Sequence, residues 1–416
     1  MIAAADASPS DVSESEASFA RVRAAVSRPM PALDGVRGIA ILMVTVFHFA
    51  RVFQLHTHSR LGMALIRPLQ CGWCGVDLFF ALSGFLITGI LLDSRSADNY
   101  FSSFYMRRML RIFPLYYGVL LLWFVVLPWV TGTRGAALFG ADRQVWFWLY
   151  LSNWTDVFGR EVRYLGHLWS LAIEEQFYLL WPILVYALSS RRLLHTCVAV
   201  CVFALGLRIA FKLAGFPDEA CHRLTPARID TLAAGAIVAV MIRDKSLFPR
   251  LRSFSSRRVG IAIGGLLAVT AALSGGFRFS SPVVQTVGYS ILATGAAWVI
   301  ASTTLGEFKT SAWLSALQSA FLRSIGKYSY GMYVFHLILH SAAMDFIAKT
   351  PRLAEMAKSE WTFGVAYVLA GVVASYVLAY LSWNGFEKRF LALKSHFSAH
   401  RASVSGSYRY AENHDG

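Results

Sequence analysis

Runs of about 20 apolar residues recur along this chain with short polar stretches between them, and a run of that length lets an α-helix cross the ~30 Å hydrocarbon core of a bilayer. Hydrophobic residues make up 56% of the 416 and charged residues only 15%, where soluble domains carry about a quarter of charged residues. The sequence predicts an all-α, polytopic integral membrane protein of about ten transmembrane helices, near 36–54, 75–92, 113–131, 170–188, 194–211, 228–242, 259–275, 283–301, 322–343 and 362–383. The apolar piece VWFWLYLSNW, 145–154, is too short to span, and its tryptophans suit a membrane interface.

An even number of spans returns both termini to one side. Lys and Arg are in excess in the connections on that side, above all in RDKSLFPRLRSFSSRR, 243–258, which places both termini in the cytoplasm by the positive-inside rule. Residues 1–30 lack an apolar segment and read as a disordered cytoplasmic tail, not a signal peptide. Residues 31–390 are expected to form the membrane domain and 391–416 a polar cytoplasmic tail, and no appended soluble domain is expected. The longest outer connection, about 132–168, is the segment most able to shape an outer binding site. The net charge of +15 is spread between apolar runs rather than gathered in one basic patch, so it argues for topology and against nucleic acid. Five cysteines are too few for a disulfide scaffold. Cys71 and Cys74 have C-x-x-C spacing without a second pair to complete a zinc tetrahedron, so a loop disulfide or two packed thiols is expected there. His56 and His58 read as loop residues, and no metal site is expected.

Ionisable residues inside the apolar runs need a reason, because each costs roughly 2.5 kcal/mol or more in the bilayer. In LDGVRGIAILMVTVFHF, Arg37 and His48 are eleven residues apart, nearly on one helix face and about 16 Å apart along the axis. Asp77 opens the second span. Ser83 is not a nucleophile elbow, since Ala81 stands where that turn needs glycine. Arg108 and Arg111 share a face at the start of span three, where two guanidinium groups suit phosphates. His167 precedes the fourth span, and Glu174 and Glu175 lie in its first turns. Arg228 and Asp230 enter the sixth, while Tyr330, Tyr333 and His336 share a face of the ninth. Taken singly, each is an interfacial cation or a hydrogen-bonded core residue. Together they imply a polar cavity inside the bundle.

The segments LDGVRGIAILMVTVFHF, GVDLFFALSGFLI, FYMRRMLRIFPLYY, LWSLAIEEQFYLLWP, RIDTLAAG and YSYGMYVFHL, in this order, resemble membrane-bound acyltransferase family 3 over about residues 30–390. Arg37 and His48 match that family's Arg-x10-His pattern, Arg108 and Arg111 its Arg-x-x-Arg pattern, and Trp169, Ser170, Leu171 and Glu174 its Trp-Ser-Leu-x-x-Glu segment. The resemblance implies a bacterial inner-membrane O-acyltransferase, acetyl by default. Such an enzyme moves an acyl group from cytoplasmic acyl-CoA to a hydroxyl of lipopolysaccharide O-antigen, exopolysaccharide or another glycan or glycolipid. No bound cofactor is implied beyond acyl-CoA as donor, and membrane lipids are the remaining partner. On this reading Arg37, Arg108 and Arg111 bind coenzyme A phosphates, and His48 acts as general base or as nucleophile. Glu174 or Asp77 supports the imidazole, with Glu175 a further candidate, and Arg228, Asp230, Tyr330 and His336 line the cavity. The rival class is a secondary transporter or lipid-linked-sugar translocase. Against it stand the lack of an internal repeat and of paired broken helices.

Overall fold

The computed structural model describes residues 9–56, 66–131, 141–306 and 312–400, apart from residues 27, 29, 156, 160, 161 and 163. His58, residues 132–140 of the long outer connection and the tail 401–416 lie outside them. Among the described residues the regular structure is all helix, with no strand. Helix α1 covers Pro9–Val26, α2 Pro31–Phe49, α3 Gly75–Ser94 and α4 Tyr100–Leu121, the last continuing through a π-turn at Leu122–Val126 into Leu127–Thr131. Then follow α5 at Trp169–Ala187, α6 at Ser190–Leu213, α7 at Thr225–Met241 and α8 at Arg257–Leu273. Helices α9 at Tyr289–Leu305, α10 at Ala320–Lys349 and α11 at Trp361–Ser382 complete the bundle.

Eight of these elements are long and apolar enough to cross a membrane. A ninth is α8 together with Phe248–Phe254, bent by 53°. Helix α5 is not among them, although its 19 residues run through the bundle. Its Glu174, Glu175 and Gln176 dilute the apolar run, as expected of a helix that carries site residues rather than a lipid-facing surface. The 145–154 piece does not span and forms the short helix Ala141–Trp148 and a turn.

Contacts sort the helix ends onto two faces. On one, Arg23 and Arg243 both pair with Asp93, at 2.7 and 2.6 Å, Arg95 donates to the carbonyl of Leu188, and the amide of Asp98 donates to the carbonyl of His400. On the other, Cys71 lies 3.7 Å from the carbonyl of Gly276, Asn153 donates to the carbonyl of Arg223, and Phe53 stacks on Trp361. Helices α2 to α11 therefore alternate in direction, and both described ends of the chain share a face, called here the terminal face.

Two features differ from the sequence expectation. Residues 9–26 form a helix instead of a structureless tail, and Phe19, Val22 and Val26 recur on one side of it and pack against the cluster containing Phe248 and Leu251. Helix α4 begins at Tyr100, so Arg108 and Arg111 sit well inside it rather than at the start of the span. All five cysteines are free thiols, so Cys71 and Cys74 are packed and unbridged.

Tight helix crossings hold the centre together. A Cβ on Gly84 of α3 would meet the carbonyl oxygen of Leu232 in α7 at 1.9 Å, and one on Gly235 of α7 would meet that of Ala81 at 1.9 Å. Small residues at a crossing let backbones approach closely, which is how membrane helices gain packing energy without a hydrophobic drive between them.

Candidate active site

Helix α2 starts on a proline, carries Asp34 in its first turn and presents Arg37 one turn later, where Nη1 bonds Asp34 Oδ1 at 3.0 Å. Arg37 faces a cavity of ≈ 870 Å³ whose wall also includes Ser83 of α3, Arg108 and Arg111 of α4, Glu174 and Tyr178 of α5, and Tyr330 and Tyr333 of α10. No carboxylate lies within ion-pair distance of Arg108 or Arg111 among the described residues. The guanidinium of Arg111 instead lies 4.9 Å from the ring centre of Trp383. Glu174 shares this wall with Ser83 and Tyr178, which bond to each other. Three cations thus converge on one cavity with a single carboxylate, Glu174, on its wall, an arrangement suited to a multiply charged anion. Tyr330 joins them as expected, its hydroxyl donating to the carbonyl of Ile112 at 2.7 Å.

His48 is not on this wall. It ends α2 within a group of histidines, with its ring 4.9 Å from that of His336, which in turn is 5.1 Å from His167. His48 Nδ1 lies 2.9 Å from the carbonyl of Val44 and 3.3 Å from Nε2 of His336. Tyr333 joins the two regions. It lines the arginine cavity, its hydroxyl donates to the carbonyl of His167 at 2.8 Å, and its own carbonyl accepts from Nδ1 of His336 at 2.6 Å. Ser170 Oγ completes the junction at 2.5 Å from the Tyr333 hydroxyl. Burial, and next the neighbouring His336, hold the pKa of His167 well below that of a free imidazole, so this ring is neutral at physiological pH.

Five of the residues expected at the site, Asp77, Glu175, Arg228, Asp230 and His336, lie away from the arginine cavity. Asp77 Oδ1 accepts from Nη2 of Arg228 at 2.6 Å, and the hydroxyl of Thr231 is 3.4 Å away. Its carboxylate therefore faces α7 and not the imidazole of His48. Asp230, expected on the cavity wall with Arg228, pairs with Arg208 of α6 at 2.7 Å. Both pairs are sealed from solvent, and the Arg228 guanidinium sits 4.1 Å from the ring centre of Tyr289. In an apolar interior each charge needs a partner, and these four supply one another. His336 is fully buried in the histidine group instead of lining the cavity. Glu175 turns away from the cavity, with Oε1 buried and without a hydrogen-bond partner.

Sequence reasoning passed over Arg208, Ser170 and Tyr178 as site or brace residues. Arg208 had a signal: a lone arginine inside an apolar run must find a partner. Ser170 had one too, as the serine of the Trp-Ser-Leu-x-x-Glu segment, whereas Tyr178 had none, since a hydroxyl in a helix is ordinary until its neighbours are known.

The sequence profile of the acyltransferase domain family matches residues 30–380. The chain belongs to this family. It is 28% identical to the O-acetyltransferase OatA of Staphylococcus aureus (strain NCTC 8325 / PS 47) over 326 residues, 74% of this chain and 50% of that protein. It is also 28% identical over 386 residues to the protein named "Putative peptidoglycan O-acetyltransferase YrhL" of Bacillus subtilis (strain 168), covering 87% of this chain and 55% of that one. The chain thus spans about half the length of these relatives. No solved structure matches it significantly. The matched stretch contains every residue named above on the wall of the arginine cavity and in the histidine group, while Trp383 beside Arg111 lies just beyond it.

Proposed function

We propose that this acyltransferase-family protein is an O-acetyltransferase of the bacterial inner membrane that takes the acetyl group of acetyl-CoA and delivers it to a hydroxyl of a cell-envelope glycan. The observation that carries the reading is the convergence of Arg37, Arg108 and Arg111 on one cavity whose wall, at Tyr333, adjoins the group containing His48. Phosphate oxygens of coenzyme A satisfy the guanidinium groups by charge-assisted hydrogen bonds. Leu86 lines this cavity and also a second one of ≈ 1120 Å³ with Arg28, Asp93 and Arg243 on the terminal face. This supports a donor that enters from the terminal face, which is then the cytoplasmic one. The name of the Bacillus subtilis relative favours peptidoglycan among the acceptors, with lipopolysaccharide and exopolysaccharide in the same chemical class.

His48 Nδ1 faces a carbonyl, so Nε2 is the nitrogen left to react. As a base it takes the acceptor hydroxyl proton while the oxygen bonds to the thioester carbon. The C–S bond then breaks, and the leaving thiolate takes the proton back from His48. As a nucleophile, Nε2 bonds to the thioester carbon and the C–S bond breaks, giving an acyl-imidazole and the coenzyme A thiolate; the acceptor oxygen then bonds to that carbon, the C–N bond breaks, and the hydroxyl proton goes to the thiolate. The test is turnover of labelled acetyl-CoA by the purified protein in liposomes, wild type against His48→Ala, following released coenzyme A and protein-bound label. His48-dependent release supports the transferase, and label trapped on the wild-type protein selects the covalent route. Neither binding nor turnover in a folded sample overturns the reading in favour of a transporter.

A further inference from the structure

We propose that His336 is the positioning residue for His48, a role that no carboxylate among the described residues occupies in this site. The proposal rests on the acetyltransferase reading of His48. The protonation states follow from the two backbone carbonyls. His336 Nδ1 lies 2.6 Å from the carbonyl of Tyr333, which only accepts, so that nitrogen carries the proton and Nε2 presents a lone pair. His48 Nδ1 lies 2.9 Å from the carbonyl of Val44 and therefore also carries a proton, which is shared with Nε2 of His336 at 3.3 Å. A proton on His336 Nε2 would point at the His48 N–H, so the geometry requires the bare lone pair there. The outcome is one tautomer of His48, with Nε2 unprotonated and the ring held from behind at two points.

His336 thereby does what the carboxylate does in a Ser-His-Asp triad: it orients the imidazole and stabilises its protonated form during transfer. None of the three candidate carboxylates is placed for this, since Asp77 is bonded to Arg228, Glu174 lies on the arginine cavity wall with Ser83 and Tyr178, and Glu175 Oε1 is buried without a hydrogen-bond partner. His167 does not reach His48 either: its Nε2 meets the carbonyl of Val334 at 3.1 Å, and its Nδ1 has no partner. A neutral acceptor suits the bilayer interior, where an added fixed charge costs more than it returns. His336 is itself fixed, fully buried on α10 and tied to the backbone one turn earlier.

The experiment compares His336→Phe, which keeps the ring volume but removes the acceptor, with His336→Gln, whose side-chain oxygen reaches the place of Nε2. Both are measured in liposomes by release of coenzyme A from acetyl-CoA, beside wild type and His48→Ala. Because Val44 still holds the tautomer, His336→Phe is expected to lower kcat by roughly 10- to 100-fold, less than the loss of a general base, with KM for acetyl-CoA little changed. His336→Gln is expected to recover most of that loss. A His336→Phe protein with wild-type kcat, or a His336→Gln protein no better than His336→Phe, overturns the proposal. The wild-type to His48→Ala ratio tests the transferase reading separately. Carbethoxylation of His48 by diethyl pyrocarbonate, located by mass spectrometry, reads the same lone pair without turnover. It should slow in His336→Phe and not in His336→Gln, and equal rates in all three proteins count against His336.

Discussion

Nη2 of Arg228 lies 2.6 Å from Oδ1 of Asp77, with both side chains sealed between α3 and α7. Such a pair adds little net stability over an apolar pair of the same volume, yet removing one partner strands a charge and costs about 3–5 kcal/mol. Asp77→Ala and Arg228→Ala are therefore each expected to lower the thermal midpoint of the detergent-solubilised protein sharply. The double variant Asp77→Leu with Arg228→Met should fall less than either. Single variants that melt like wild type would mean that the pair does not brace the bundle.

The α3–α7 crossing predicts a second stability effect. Adding one methyl group at Gly235 places it 1.9 Å from the carbonyl oxygen of Ala81, a contact that only a backbone shift relieves. Gly235→Ala should cost about 1–3 kcal/mol through overpacking, read as a lower melting midpoint and reduced yield of monodisperse protein. At Gly206, where a Cβ meets nothing within 4 Å, alanine should be tolerated. Equal melting of the two variants would refute the close-packing account.

Donor recognition is tested at the arginines. Hydrogen bonds to charged groups are worth about 1.5–3 kcal/mol, so Arg108→Gln or Arg111→Gln should weaken acetyl-CoA binding by roughly 10- to 150-fold. Lysine should restore only part of this, because it cannot make the bidentate contact. Titration calorimetry at two salt concentrations supplies the check, since any exposed part of the interaction weakens as ionic strength rises. Unchanged affinity in both glutamine variants would remove the phosphate assignment.

His167 yields a pH-linked prediction. Its folded pKa lies well below that of the unfolded chain, so on acidification the unfolded state binds a proton that the folded state refuses. Its contribution is fully present above the unfolded value of about 6.5 and is lost progressively as pH falls below it. His167→Gln should shallow the acid-side decline of the melting midpoint, recorded between roughly pH 7 and 5. An unchanged decline would place the acid sensitivity elsewhere.

The apolar runs were sufficient to read the helical class, the alternation of direction and the gathering of both described ends on one face. The ordered motifs led to the acyltransferase domain family and to Arg37, Arg108, Arg111, Glu174 and Tyr330, which do share one cavity. These features lie in local composition and in spacing along single helices, where a one-dimensional pattern has direct physical meaning. Partner choice between helices was not legible. Asp77 and Glu174 looked equally able to support His48 because both are carboxylates on neighbouring spans. Only packing places Asp77 against Arg228 and sets His336, from a helix 288 positions further along, behind His48. The helical register of α2 against α10 decides which side chains meet, and that register depends on backbone contacts such as Gly326 against the carbonyl of Asp34, which no single segment encodes.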